Sequence, residues 1–256
     1  MKVLSIDLDY IMGSTIDLYS DIGWHDTPSI RWKNYYSTLE NKNDVDLYID
    51  EKNLLYCFDV FLNAIRECGN VHFAFNHDSI LDELYKYDSI ELINIDHHDD
   101  VIYPNESNLN RDEPNYEIKY MMSLYEQYES ISKSNILHEG NWISFLNINK
   151  KINSYTFIGN PDSIDFSKEK ENFIKKHLPK FQFYTRDQYN FKHYNFDYIF
   201  VCLSPQYIPP CHWHYFTMFL SAYKSISGKN FKFDEMPMRK FSTRYHYSDV
   251  IEKIGG

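Results

Sequence analysis

The 256-residue chain is 43% hydrophobic and 18% aromatic, enough apolar material for a sizeable core, which excludes a low-complexity disordered chain. Its formal net charge of −11 excludes a surface built for non-specific binding to nucleic acid or anionic membrane and suits a cationic partner. No apolar run reaches the ~20 residues of a membrane span, and the start MKVLSIDLDY has no signal-peptide pattern. Cys57, Cys68, Cys202 and Cys211 form neither a CxxC pair nor a disulfide framework, so a cytoplasmic location is expected.

Lys2 to Leu8 alternates and is rich in β-formers, which predicts a strand. The stretch from Met12 to about Leu47 is irregular, and irregular stretches of that length usually serve function. DEKNLLYCFDVFLNAIRECG then predicts an amphipathic helix. Leu54, Leu55, Phe58, Phe61, Leu62 and Ile65 recur at helical spacing, Asp50 is placed to cap the start and Gly69 to end it. Val71 to Phe75 reads as a strand and SILDELYKY as a short helix. Ile90 to Ile95 is apolar on both faces, as at the centre of a parallel sheet. Helical segments at Tyr116 to Ser130 and Trp142 to Lys150 follow, then a strand at SYTFIG and a helix from Lys168 to His177. A strand at DYIFVCL and a helix from about His212 to Ile226 complete the series. This alternation predicts an α/β fold: one three-layer α/β/α domain over residues 1–256, with helices covering both faces of a mostly parallel open sheet.

In such a sheet, chemistry collects beyond the carboxyl ends of the strands. Three predicted strands end there in ionisable side chains: Asp7-Leu8-Asp9, Asn76-His77-Asp78, and Asp96-His97-His98-Asp99-Asp100. Two further ends read Gly-Asn-Pro and Ser-Pro-Gln. A spacing of two puts Asp7 and Asp9 on one side of an extended chain, and likewise Asp96, His98 and Asp100, leaving His97 and Asp99 as supporting or solvent-facing groups. With His77, six candidate ligands converge. Each piece has a plainer reading, as a loop cap, a turn former or a solvated acidic loop. Together they point to a metal site, because so many buried ionisable groups are costly unless compensated. Carboxylates with imidazoles suit Mn²⁺ or a similar ion, whereas a structural zinc site would use thiolates. Six ligands exceed what one ion with an open position needs, which favours a pair of ions bridged by carboxylates.

These motifs resemble the ureohydrolase superfamily of arginases, agmatinases and related deacetylases. Asp96-His97-His98-Asp99-Asp100 is similar to its DAHxD signature, with His97 in place of the small second residue, and Ser5-Ile6-Asp7-Leu8-Asp9 is similar to its SxDxD element. His77, in FNHDS, matches its histidine at an earlier strand end. The order differs: arginases present the histidine first, then DAHxD and last SxDxD, whereas here SxDxD opens the chain. The layout is similar to a divergent branch that includes peptide arginases, which convert arginine side chains of ribosomally made precursor peptides to ornithine. HEGNWISF and CLSPQYIPP resemble elements of that branch. The similarity spans residues 5 to 210, but only the motif positions carry it.

The resemblance implies an arginase-like sheet with altered strand order and two Mn²⁺ per chain. Asp7 and Asp96 would bridge them, His77 and Asp100 would complete one ion, and Asp9 and His98 the other. It also implies an arginine-containing precursor peptide as partner. A general acid must protonate the leaving amine. The candidates are His25, His138, His212 and His214, with the last two favoured because they follow the last strand and start a helix, within reach of the crevice. A carboxylate must grip the guanidinium. Glu139, beside Gly140, Asn141 and Trp142, is the first candidate and Glu51 the second, with Asn141 and Trp142 as further substrate contacts. The long loop from Met12 to Leu47 and the many aromatic residues suit an open rim for a peptide. The alternatives are a deacetylase-like amide hydrolase with one Zn²⁺, a two-metal phosphoesterase, and a non-catalytic binding module.

Overall fold

In the computed structural model, which describes residues 1–13, 32, 49–101, 140–161 and 168–234, the short apolar runs form strands and the amphipathic runs form helices between them. Strand β1 (Lys2–Asp7) leads through a 3-10 turn (Leu8–Ile11) toward helix α1 (Glu51–Ala64). Strand β2 (Val71–Ala74), a 3-10 turn (His77–Ile80), helix α2 (Leu81–Leu84) and strand β3 (Ile90–Asp96) follow. Then come helix α3 (Trp142–Ile148), strand β4 (Ile152–Gly159), helix α4 (Lys168–His177) and strand β5 (Gln182–Tyr184). Strand β6 (Tyr198–Cys202), a 3-10 turn (Pro210–His212), helix α5 (His214–Ser227) and strand β7 (Lys232–Phe233) close the described chain.

The seven strands form one sheet in the order β5-β4-β3-β1-β6-β2-β7, and every pairing within it is parallel. An isolated bridge between Met12 and Ile49 runs antiparallel. Every residue of β6 is buried, and its side chains alternate between two core clusters. Ile199 and Val201 join the first, with Cys57 and Phe61 of α1 and Phe216 and Phe219 of α5. Tyr198, Phe200 and Cys202 join the second, with Leu81 and Leu84 of α2, Phe145 and Leu146 of α3, and Ile174 of α4.

Some expected boundaries move. Helix α1 starts as expected, with the Asp50 side chain accepting from the Lys52 and Asn53 amides, but it ends at Ala64 rather than Gly69. A tight turn replaces the last helical turn: Glu67 and Cys68 both donate to the Ala64 carbonyl, and Ile65 and Cys68 are buried there. Strand β1 stops at Asp7 because Leu8 opens the 3-10 turn, and α5 starts at His214 because Pro210–His212 forms its own turn. Strands β5 and β7, of three and two residues, were not expected. The helix expected at Tyr116 to Ser130 lies outside the described residues, as does nearly all of the stretch from Met12 to Leu47. Among the described residues, no helix is long and apolar enough to cross a membrane.

Candidate metal centre

The site grows from neighbouring strands. The β1–β3 register pairs Ile6 with Ile95, so Asp7 and Asp96 end adjacent strands side by side. Asp7 caps the following 3-10 turn, with Oδ1 accepting from the Asp9 amide at 3.2 Å. Asp96 Oδ1 accepts from the His98 amide at 2.9 Å, and Oδ2 accepts from Asn94 Nδ2 at 3.0 Å. The turn after β2 delivers His77, whose ring stacks on Phe200 and packs 4.9 Å from the Trp142 ring.

His77 Nε2 lies 2.6 Å from Ser5 Oγ, which sets the ring orientation. Its Nδ1 faces three carboxylates, 3.1 Å from Asp7 Oδ2, 3.1 Å from Asp96 Oδ2 and 2.9 Å from Asp100 Oδ2. It makes no aligned hydrogen bond with any of them, although it is fully buried. A nitrogen directed between carboxylates rather than at one of them is disposed as a metal ligand is. His98 Nδ1 lies 2.9 Å from Asp9 Oδ2, and the ring packs against Tyr207. Two groups of donor atoms, each within 4.8 Å of one another, result: Asp7, His77 and Asp96, and Asp9, Asp96 and His98. Asp96 is common to both.

Electrostatics supports the fit. Burial, then the Asp100 and Asp7 charges, pushes Asp96 up to about 7. Burial raises Asp7 and Asp100 as well, in Asp7 reinforced by Asp9. Burial disfavours a charged His98, but Asp9, with Asp96 and Asp100, outweighs it and lifts the group to about 9. His77 likewise is held well above its ordinary value against burial, chiefly by Asp100. Without an ion, then, the cluster retains protons to balance its charge, and a bound cation would take over that role. The donor set is oxygen and nitrogen. The nearby thiols of Cys57 and Cys202 are pushed up, first by burial and then by the aspartates, so neither offers a thiolate. The buried Asp and His residues are thus able to hold a metal ion.

Compared with protein-family models, with curated proteins and with solved structures, the chain matches none. The site is therefore read from its own geometry.

Five of the six expected ligands fall in the two donor groups, and Asp100 meets them through His77 Nδ1, but the local geometry differs from the expected one. Strand alternation ends at Asp7 and Asp96; beyond them turns do the work. Asp9 sits in the 3-10 turn, and Asp100 reaches the cluster from a left-handed backbone with φ of 53°. Trp142 is fully buried, and its Nε1 donates to Asp100 Oδ2 at 2.5 Å, so it acts on a candidate ligand. Asn141 is buried beside it, at the start of α3. Glu51 is exposed in the first turn of α1. His212 and His214 follow β6 and pack around Tyr215, and His214 Nδ1 donates to the Cys211 carbonyl. Neither belongs to the two donor groups. Glu139, His25 and His138 lie outside the described residues.

Further residues hold the turns around the site. Asn160 Nδ2 donates to the carbonyls of Tyr10 and Met12, at 2.8 and 2.9 Å, and ties the chain after Asp9 to the end of β4. Asn53 Nδ2 donates to the same Tyr10 carbonyl, and Arg186 bonds Asp50 and Asn53. His97 is held down to about 4, by burial and then by the His98 charge, so it is neutral, and its amide donates to Asp9 Oδ1. The only sequence signal for Asn160 and for Ser204 was that each follows a strand.

Proposed function

We propose that the chain is a binuclear manganese hydrolase of guanidino groups, a peptide arginase that converts arginine side chains of a precursor peptide to ornithine and releases urea. The observation that carries this reading is the pair of donor groups sharing Asp96. Asp7, His77, Asp96 and Asp100 would hold one ion, and Asp9, His98 and Asp96 the other, with Asp7 as a second bridge. A single-domain, three-layer, arginase-like architecture with altered strand order, and a cytoplasmic location, are part of the same proposal.

Bound Mn²⁺ supplies a Lewis acid and lowers the pKa of water toward neutrality. The chain's own residues prepare the rest. Ser5 fixes the His77 ring, Trp142 fixes Asp100, and Asn160 pins the turn that carries Asp9. A guanidinium is a cation, and the acidic cluster within a chain of net charge −11 favours its approach. Water adds to the guanidinium carbon, the C–N bond to the side chain breaks, and the leaving amine takes up a proton to become ornithine. His212 and His214, beyond the end of β6, are the donors proposed for that proton. Glu139 is the proposed grip on the guanidinium, with Asn141 beside it and Glu51 as the alternative.

Incubation with Mn²⁺ and, in turn, free arginine, agmatine and arginine-containing peptides tests this, with urea and product mass as readouts. Urea together with conversion of arginine to ornithine in a peptide is expected. No urea from any of the three would sink the reading.

A further inference from the structure

We propose that Ser204 is a positioning residue that fixes the Asp7 carboxylate in the orientation the Asp7, His77 and Asp96 group presents to a metal ion; this rests on the two-metal reading above. The β1–β6 register pairs Asp7 with Cys202, so Ser204 lies two residues past the partner of Asp7. Its Oγ donates to Asp7 Oδ2 at 2.5 Å, and both residues are buried. A hydroxyl donating to a buried carboxylate is a short, charge-assisted bond and a strong one. Asp7 Oδ1 is held separately by the Asp9 amide. Both carboxylate oxygens therefore have a donor, and the oxygen held by Ser204 is the one that lies 3.1 Å from His77 Nδ1. Turning this carboxylate would break a bond at either end.

Ser204 is itself fixed. Its amide donates to the Phe75 carbonyl at 2.9 Å, at the end of β2, and its carbonyl accepts from the amides of Tyr207 and Ile208. Its backbone φ is 48°, in the left-handed region where a glycine would sit without strain. Four described non-glycine residues have positive φ: Asp100, Lys150, Lys180 and Ser204. Lys150 and Lys180 are exposed in turns after α3 and α4, whereas Asp100 and Ser204 are buried at the donor cluster. Backbone strain at buried positions thus coincides with the site, as it does where surrounding structure over-determines a functional group.

The test is an equilibrium Mn²⁺ titration followed by electron paramagnetic resonance, on the wild type, Ser204→Ala and Ser204→Gly. The wild type should take up two ions and give a spin-coupled spectrum. Both variants lack the hydroxyl, and in each one ion should bind about 10–100-fold more weakly, as loss of a partner behind a ligand does. The second ion, which keeps Asp9, His98 and Asp96, should be weakened less, so that a mononuclear spectrum appears at intermediate Mn²⁺. Ser204→Gly relieves the backbone, so it decides the matter if Ser204→Ala does not fold. Two ions bound by the variants with wild-type affinity, or both weakened equally, would overturn the inference alone. A wild type that takes up no Mn²⁺ would overturn the two-metal reading and this inference with it.

Discussion

Asp96 concentrates the conflict of the site in one residue: its carboxyl is buried between the charges of Asp7 and Asp100 and is raised to about 7. An acid raised above its unfolded value, near 3.9, binds its proton more tightly when folded. The stability it contributes is fully present below about pH 4 and lost as pH rises through about 7. His98 acts in the same sense: its share is present below its unfolded value of about 6.5 and lost as pH rises through about 9. Ion-free protein should therefore have a melting temperature that falls from pH 6 to pH 9. Mn²⁺ must displace these protons, so the stabilisation it gives should grow over the same range. Thermal melts in chelator and in Mn²⁺ check both trends, and a Mn²⁺ effect that is independent of pH would contradict them. Asp96→Asn keeps the shape but removes the shared charge. It should abolish uptake at both positions while raising the ion-free melting temperature at pH 8, as metal analysis and calorimetry would show.

At the scale of elements, the turns after the strands do more than connect. The chain after Asp9 is held at Tyr10 and Met12 by Asn160, which is 150 and 148 residues away in sequence. Asn160→Ala would leave the Met12 carbonyl without that donor and should cost about 1–3 kcal/mol, the penalty for a buried polar group left unpaired. Urea denaturation in chelator measures it. Weakened Mn²⁺ binding should accompany the loss, because Asp9 rides on the same turn. Such links explain what was legible in the sequence and what was not. The long strands and α1 carry their own hydrophobic period, and Asp50 its own cap, so local pattern sufficed for them. The strands QFY and KF are too short to show a period, and they form only as edges of a sheet already made. Asp7, Asp9, His77, Asp96, His98 and Asp100 stood out because ionisable residues rarely follow buried strands. Ser204 and Asn160 are ordinary loop residues until the fold brings a carboxylate or a carbonyl to them. Their partners lie up to 197 residues away, and no local signal encodes that.

For the whole molecule, the sheet order places β1 between β3 and β6, so the ends of these three strands face one another at the centre of the sheet. Residues from every described helix join one of two core clusters that share this sheet. The chain should accordingly unfold in one transition, with fluorescence and circular dichroism coincident, and Mn²⁺ should shift that transition upward as a single event. A separate early transition insensitive to Mn²⁺ would contradict this. Phe219 is fully buried and packs on Phe58 and Phe61 across α1 and α5; Phe219→Ala should cost about 3–5 kcal/mol of that one transition. The most direct test of the account is a crystal structure grown with Mn²⁺ and read by anomalous scattering. It should show two peaks about 3.5–4 Å apart flanking Asp96, one beside His77 Nδ1 and one beside His98 Nδ1. A single peak, or no peak at Asp96, would contradict the account.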